Sequence, residues 1–371
     1  MKQNYWTYNK PLSMTGLGGG ASSVFYAGGA AHPFDDMSNF SGATKISGTD
    51  IIYYSTSGTY NFTDPIGGLS KFRFTVVAGG GASDGDNYGW FANIGGGGGG
   101  GVRAEVQTAL TLTIGVGQGG ASAGYYNSSL TFRDATWFSN SLSSSSNGIS
   151  RVSGRGGESF VKSGSTEVLK ATGGMPGVTR YHFYGQGYDN HINYINAASY
   201  SGYSAAGYNG YRGYFYNGGY GATLNGSVTG VTVTNGYTYY GGIGGFADQL
   251  SSHSGVTSSH IHPLDSGPGA AGAGENTTYS GAGGGGGADS SSGANGAAGG
   301  TASGLATLLT GSGITAAGGN GSNYSVNGTQ YTAGAAGGGH GGASVWSGST
   351  ATWADSFTAA DGIVIVEFLG F

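Results

Sequence analysis

The sequence predicts a mainly β protein with very little α-helix, in which strands frame glycine-rich segments. Glycine supplies 83 of the 371 residues, and seven consecutive glycines occupy Gly95–Gly101. Segments that alternate apolar and polar residues lie on both sides of this run, as is typical of half-buried strands. No segment carries a sustained apolar repeat of about 3.6 residues, so helix content should be very low.

The strand predictions come from alternation and from turn residues between the segments. Asp64-Pro65-Ile66-Gly67-Gly68 has the composition of a turn, and a Ser-Gly pair separates the first two strands. The chain ends with IVIVEF, a strongly apolar segment that should pair with an earlier strand in a core. The predicted strands are 51–54, 58–63, 69–78, 102–106, 110–117 and 361–368.

Composition excludes several classes of protein. Disordered chains avoid aromatic residues, whereas this chain has 26 Tyr, 16 Phe and 5 Trp. Six prolines and no three-residue period exclude collagen. Cysteine is absent, so disulfides and thiolate metal sites are excluded. No apolar run approaches the roughly 20 residues that span a membrane. The net charge of −5 without clustered Lys or Arg argues against nucleic-acid binding.

The glycine runs admit two interpretations. They could be flexible connections, because glycine loses the most backbone entropy on ordering. Alternatively, they could form extended polyglycine II-type helices with three residues per turn, whose backbone groups bond laterally to neighbouring helices. Long structureless connections are uncommon in compact domains, which favours the second interpretation. We therefore expect a strand-framed glycine-rich sandwich with Gly95–Gly101 and Gly283–Gly287 inside the bundle.

The domain organisation predicted from these patterns has two parts. Residues 1–50 contain scattered aromatics and little periodicity, so they are interpreted as an N-terminal attachment or lead-in segment. An N-terminal part of the same domain is the alternative. Residues 51–371 form the glycine-rich domain, with a Tyr/His-rich insertion at about 180–265.

Four motifs of this domain resemble the glycine-rich domains of phage tail proteins. They are VVAGGGA within Phe72–Ala82, a glycine run entering VRAEV at Gly95–Val106, LTLTIGVGQGG at Leu110–Gly120, and DGIVIVEF at Asp361–Phe368. A looser similarity exists to the tail-fibre-tip adhesins of T-even-type phages, which present loops to outer-membrane proteins or glycans. The resemblance implies synthesis in a host cytoplasm, localisation in the virion tail, and contacts with other tail proteins.

The tyrosine-rich part of the insertion is the main candidate binding site. Tyrosine among Gly, Ser and Asn recurs in binding loops because it offers a large amphipathic area with few rotamers. The alternatives are that these rings pack on the glycine bundle or between subunits. Trp90 belongs to a second aromatic group. The candidate receptor-binding tyrosines are Tyr181, Tyr184, Tyr188, Tyr194, Tyr200, Tyr203, Tyr208, Tyr211, Tyr214, Tyr216 and Tyr220.

Histidine gives the one metal signal in the sequence. His260 and His262 would face the same way on a strand, with Asp265 nearby, and a homotrimer would bring three such pairs together. Surface histidine is the alternative interpretation. No pair of acidic residues stands out as a glycosidase pair, and no phosphate-binding motif follows a glycine run. We therefore expect neither enzymatic activity nor a cofactor.

The function predicted from the sequence is a tail-fibre or tail-tip adhesin that binds a bacterial surface receptor, either an outer-membrane protein or a glycan. The alternative is a purely architectural virion protein, such as a fibre shaft, a tail-tip component or a capsid decoration. An ice-binding or silk-like material fits less well, because the strands are irregular and no regular Thr lattice is present.

Overall fold

A computed structural model describes eleven parts of the chain, and within them the protein is mainly β with very little helix, as the sequence predicts. The described residues are 32–83, 85–86, 95–120, 155–175, 219, 221–245, 273–285, 297–321, 334–340, 343–344 and 358–371. They include 3-10 turns at Pro33–Asp35 and Met37–Asn39 and one α-helix, α1 (Ser303–Leu308). The strands are β1 (Thr44–Lys45), β2 (Ile51–Tyr54), β3 (Gly58–Phe62), β4 (Lys71–Val77), β5 (Gly85–Asp86), β6 (Gly101–Thr108), β7 (Leu112–Val116), β8 (Ser159–Ser163), β9 (Thr166–Ala171), β10 (Gly221–Leu224), β11 (Val231–Tyr239), β12 (Ala343–Ser344) and β13 (Ile363–Gly370).

The longer strands form two antiparallel sheets. The first has the order β1-β2-β13-β4-β6-β11, and the second has the order β10-β9-β8-β7-β3. The closing strand β13 lies between β2 and β4, which confirms that the terminal apolar segment pairs with earlier strands. All six strands predicted from the sequence are confirmed, with ends that differ by a few residues.

Side chains from both sheets meet in one hydrophobic core. Phe74 and Val364 of the first sheet and Ile114 and Val161 of the second are fully buried in it. Aromatic rings fill much of this core, with the centroids of Phe62 and Phe74 5.1 Å apart. Such edge-to-face ring pairs add to the stabilisation from apolar burial.

Residues 32–50 pack against the same core as the strands that follow them. Phe34 and Phe40 are buried, with ring centroids 5.1 Å apart, and β1 pairs with β2. The attachment role assigned to residues 1–50 stays a prediction, and residues 1–31 lie outside the described residues. Within the predicted insertion at 180–265, residues 221–245 contribute β10 and β11 to the two sheets.

The helix α1 covers part of the other face of the first sheet. Leu305 and the adjoining Leu309 are buried against Ile363 and Ile365 of β13 and against Tyr53 of β2. β13 is therefore enclosed on both faces, which explains its nearly continuous apolar sequence.

A layer of glycine-rich segments continues the two sheets at one end. Four strands, β4, β7, β9 and β11, run into this layer, and four others, β6, β8, β10 and β13, begin from it. We call it the glycine layer. Its segments are 78–83, 95–100, 117–120, 155–158, 172–175, 219, 241–245, 273–275, 281–285, 297–300, 316–321, 334–340 and 358–362.

Candidate functional site

The central segment of the glycine layer, Gly95–Gly100, donates its amide protons to three neighbouring segments in rotation. Each neighbour is reached again after three residues, at N···O distances of 2.8 to 2.9 Å. Gly95 and Gly98 donate to one neighbour, Gly96 and Gly99 to a second, and Gly97 and Gly100 to a third. The accepting carbonyl groups, in order along the segment, are those of Gly245, His340, Met175, Gly242, Gly337 and Thr172.

The carbonyl groups of the same segment accept bonds from three further segments. Gly99 and Gly96 accept from Gly281 and Gly284, again three residues apart. The remaining bonds come to Gly100 from Ala78, to Gly97 from Gly81, and to Gly98 from Gly219. The central segment is thus surrounded by six others, and its backbone is hydrogen-bonded without a ladder of the β type.

Glycine is required at these positions because neighbouring backbones approach too closely for a side chain. A Cβ atom on Gly98 would overlap the carbonyl oxygen of Gly281, and one on Gly99 would overlap that of Ala78. A Cβ on Gly285 would meet the carbonyl oxygen of Ala297 in the same way. The described part of the predicted bundle, Gly95–Gly101 and Gly283–Gly285, is buried.

The chain leaves and re-enters the layer at the end remote from the sheets, which we call the outer end. Strands β4, β7, β9 and β11 run toward this end. The layer segments that follow them are described as far as Ser83, Gly120, Met175 and Gly245, respectively. The chain returns there before β6, β8, β10 and β13. The segments with both flanks in the layer, beyond the strand ends, are 84–94, 121–154, 176–218, 246–272, 286–296 and 341–357. Some of these flanks lie at mid-depth, since Gly219 is hydrogen-bonded to Gly98 and Gly120 to Gly80.

Buried polar contacts fix the layer near both of its ends. At the outer end Ser83 Oγ lies 2.8 Å from His340 Nδ1, and both side chains are buried. Beyond these residues β5 pairs in parallel with β12. At the boundary with the sheets, the Asp361 carboxylate accepts from the backbone N–H groups of Gly119, at 2.8 Å, and Ser57, at 3.1 Å.

Glu158, where β8 begins, is the one buried carboxyl of the layer with a resolved change in acidity. Desolvation by burial raises its pKa, and the nearby cations Lys170 and Arg155 oppose that rise. Lys170 Nζ lies 3.5 Å from Glu158 Oε2. The ion pair between Glu158 and Lys170 of β9 links the layer to the second sheet. The other nearby cation, Arg155, belongs to the layer itself.

The candidate residues chosen from the sequence lie outside the described residues. This holds for the eleven tyrosines of the receptor-binding prediction, for Trp90, and for His260 and His262. What the structure describes is the set of residues that flank them, such as Met175, Gly219 and Gly245. Within the described parts of the chain, no group of three or more His, Asp or Glu side chains could hold a metal ion.

The described residues also include four tyrosines that the sequence reasoning did not single out as a site. Tyr237, Tyr239 and Tyr240 lie at the end of β11, and Tyr279 packs beside them with its ring centroid 5.4 Å from that of Tyr239. For Tyr237 and Tyr239, the signal in the sequence is the alternation of Tyr and Thr after an Asn-Gly pair.

Comparison with models of known protein families gives no match for this chain, and comparison with curated proteins gives none. Within the parts of the chain described above, no helix has the length and apolar character needed to cross a bilayer.

Proposed function

We propose that the protein is a phage tail adhesin in which a bundle of polyglycine II-type helices, sandwiched with the sheets, supports aromatic segments that bind a bacterial surface receptor. The three-residue rotation of hydrogen bonds around Gly95–Gly100 supports the helix type, since polyglycine II has three residues per turn. The resemblance to phage tail glycine-rich domains supports the role.

The observation that carries this proposal is the common position of the segment flanks. Six segments depart from and return to one hydrogen-bonded layer, beyond the ends of the strands. Among them, 176–218 contains ten of the candidate tyrosines, and 84–94 contains Trp90. A rigid support lowers the entropy lost when such segments bind a partner. Several copies on one particle would multiply modest individual affinities.

The opposite end of the molecule has the character of an attachment surface. The turns after β3 and β6 and the end of β13 expose Leu69, Leu110 and Phe371, with exposed fractions of 64%, 42% and 43%. His32, the first described residue, packs against Phe368 nearby, with ring centroids 4.8 Å apart. We infer that this end contacts other tail proteins, together with the residues that precede His32.

The test replaces Tyr208, Tyr211 and Tyr214 together by Ala and measures binding of the purified protein to whole host cells. Binding should fall at least about tenfold, because a few aromatic anchors carry most of the energy of an interface. The melting temperature should change little. The same three positions changed to Phe should retain most of the binding if ring area dominates.

Tyr240→Ala is the matched control, because this exposed tyrosine lies at the inner side of the layer. It should bind cells as the unsubstituted protein does. Normal cell binding by the triple Ala variant, or loss of particle assembly with cell binding intact, would favour the architectural alternative.

A further inference from the structure

The outer face of the first sheet, beside α1, carries an ordered set of polar and aromatic side chains. Residues in register on neighbouring strands place their side chains on the same face. One row across the sheet consists of Glu367, Arg73, Glu105 and Thr234. The next row contains Arg103 directly opposite Tyr237.

Ion pairs hold the charged groups of this face in fixed positions. Arg73 donates to Glu105 at 2.7 Å, and Arg103 donates to Glu367 at 2.8 Å. The hydrogen bond from Arg73 is the main reason that the pKa of Glu105 lies below its ordinary value. The charges are therefore paired with one another, and Thr234 and Asn235 of β11 are exposed polar residues beside them.

A β-bulge brings Thr234 and Tyr237 to this face together. In a regular strand, residues three apart point to opposite faces, but the register shifts between Thr234 and Tyr237, and Asn235 adopts a positive φ of 50°. Bulges commonly redirect a side chain in this way. Thr234 Oγ1 lies 3.5 Å from Glu105 Oε2, and Asn235 also hydrogen-bonds to Glu105.

Tyr237 is exposed although it lies on a packed sheet. Its exposed fraction is 62%, whereas the neighbouring Arg103 is stacked at 4.1 Å from the centroid of the Tyr279 ring. Tyr279 in turn contacts Tyr239 edge to face. The rigid pair of Tyr239 and Tyr279 supports the edge on which the Tyr237 ring is displayed.

We propose that this face is a carbohydrate-binding site for a neutral sugar. The Tyr237 ring would stack on the apolar face of a pyranose, while the exposed side chains of Thr234 and Asn235, held in place by the buried Glu105, would bond its hydroxyl groups. An exposed aromatic ring beside preorganised polar groups matches a ligand that is apolar on its ring faces and polar at its rim. This site does not rest on the proposed function, because the residues that form it lie on the strands of the first sheet and not in the glycine layer.

A neutral sugar fits the face better than a protein partner does. Protein interfaces have a fully buried apolar centre, whereas the neighbours of Tyr237 here are Thr234, Asn235 and Arg103. Because the arginines and glutamates already pair with one another, the face lacks the unpaired charge that an acidic ligand would require.

The test measures binding of the purified protein to immobilised neutral mono- to tetrasaccharides of glucose, galactose and N-acetylglucosamine. At least one of them should bind, and Tyr237→Ala should weaken that binding by roughly tenfold, the loss expected for one stacked ring. Tyr237→Phe should retain it. Tyr240→Ala, which removes another exposed tyrosine beyond the last paired residue of β11, should bind as the unsubstituted protein does.

Absence of binding to every sugar on the panel, or equal binding by Tyr237→Ala, would overturn the assignment. A purified tail protein that binds this face in a Tyr237-dependent way, with no sugar bound, would overturn it in favour of a protein interface. The variant lacking Tyr208, Tyr211 and Tyr214 should keep its sugar binding, which separates this site from the proposed receptor contact.

Discussion

At the residue scale, glycine acts in this protein through the space that its missing side chain leaves. Turn glycines such as Gly42 and Gly164 are needed for their positive φ, with values of 83° and 59°. The glycines of the layer have a different role, because neighbouring carbonyl groups occupy the volume that a Cβ would need. The same residue type therefore serves conformational freedom in one region and close packing in another.

Gly98→Val should reduce the free energy of unfolding by about 3 kcal/mol or more, because the side chain would force apart backbones that exchange hydrogen bonds. Urea unfolding followed by circular dichroism measures the change. Gly226→Val is the matched control, since a Cβ there meets no atom within 4 Å. Equal stability of the two variants would contradict close packing at Gly98.

Gly285 offers an independent position for the same comparison, since a Cβ there would meet carbonyl oxygens of two neighbouring residues, Ala297 and Ala298. Gly285→Val should therefore lower the free energy of unfolding as Gly98→Val does, because backbone atoms and not side chains surround both glycines.

At the element scale, the predicted strands were those with uninterrupted alternation or a continuous apolar run. The strands β8 and β9 were not predicted, although they form a hairpin whose turn contains Gly164. β11 could not be predicted from its sequence pattern, for a physical reason. Its bulge at Asn235 and Gly236 breaks the two-residue period, and its tyrosines resemble the loop composition that precedes it.

The ion-pair row of the first sheet gives the element-scale prediction. Since the pKa of Glu105 is lowered in the folded protein, its ion pair stabilises the fold above the ordinary value of 4.5. That stabilisation is lost as the pH falls through the folded pKa. Glu105→Gln should therefore lower the free energy of unfolding by about 2 kcal/mol at pH 7.

The difference between the variant and the unsubstituted protein should shrink as the pH falls below the folded pKa, where the carboxyl is protonated in both states. Urea unfolding at a series of pH values measures it. Asp35, an exposed carboxylate that pairs with Lys45 at 3.4 Å, provides a control, because Asp35→Asn should have a far smaller effect. A constant difference across all pH values would contradict the electrostatic explanation.

At the scale of the whole molecule, the sequence predicted the fold class but not the arrangement of the candidate site. Composition and alternation were enough for a β framework around glycine segments. The convergence of Ser83, Gly120, Met175 and Gly245 on one end depends on strand direction, which no local pattern encodes. The tyrosine predictions rest on composition alone, because those residues lie outside the described parts of the chain.

The layer should open as one cooperative unit together with the sheets. Amide protons of Gly96–Gly100 bond to several separate segments, so none of them can be freed by local fraying. Hydrogen exchange should show protection similar to that of β4 and β6, whereas the exposed turn at Gly226 should exchange fast. Rapid exchange of these glycine amides in the native protein would refute the packed layer.

The dense backbone packing around Gly95–Gly100 has a calorimetric consequence. Exposure of apolar surface raises the heat capacity on unfolding, whereas exposure of peptide groups lowers it. A region whose interior consists of peptide groups should thus contribute far less to that change than the roughly 12–15 cal/mol/K per residue of ordinary domains. The curve of stability against temperature would be unusually flat, and the molecule would tolerate cooling as well as warming.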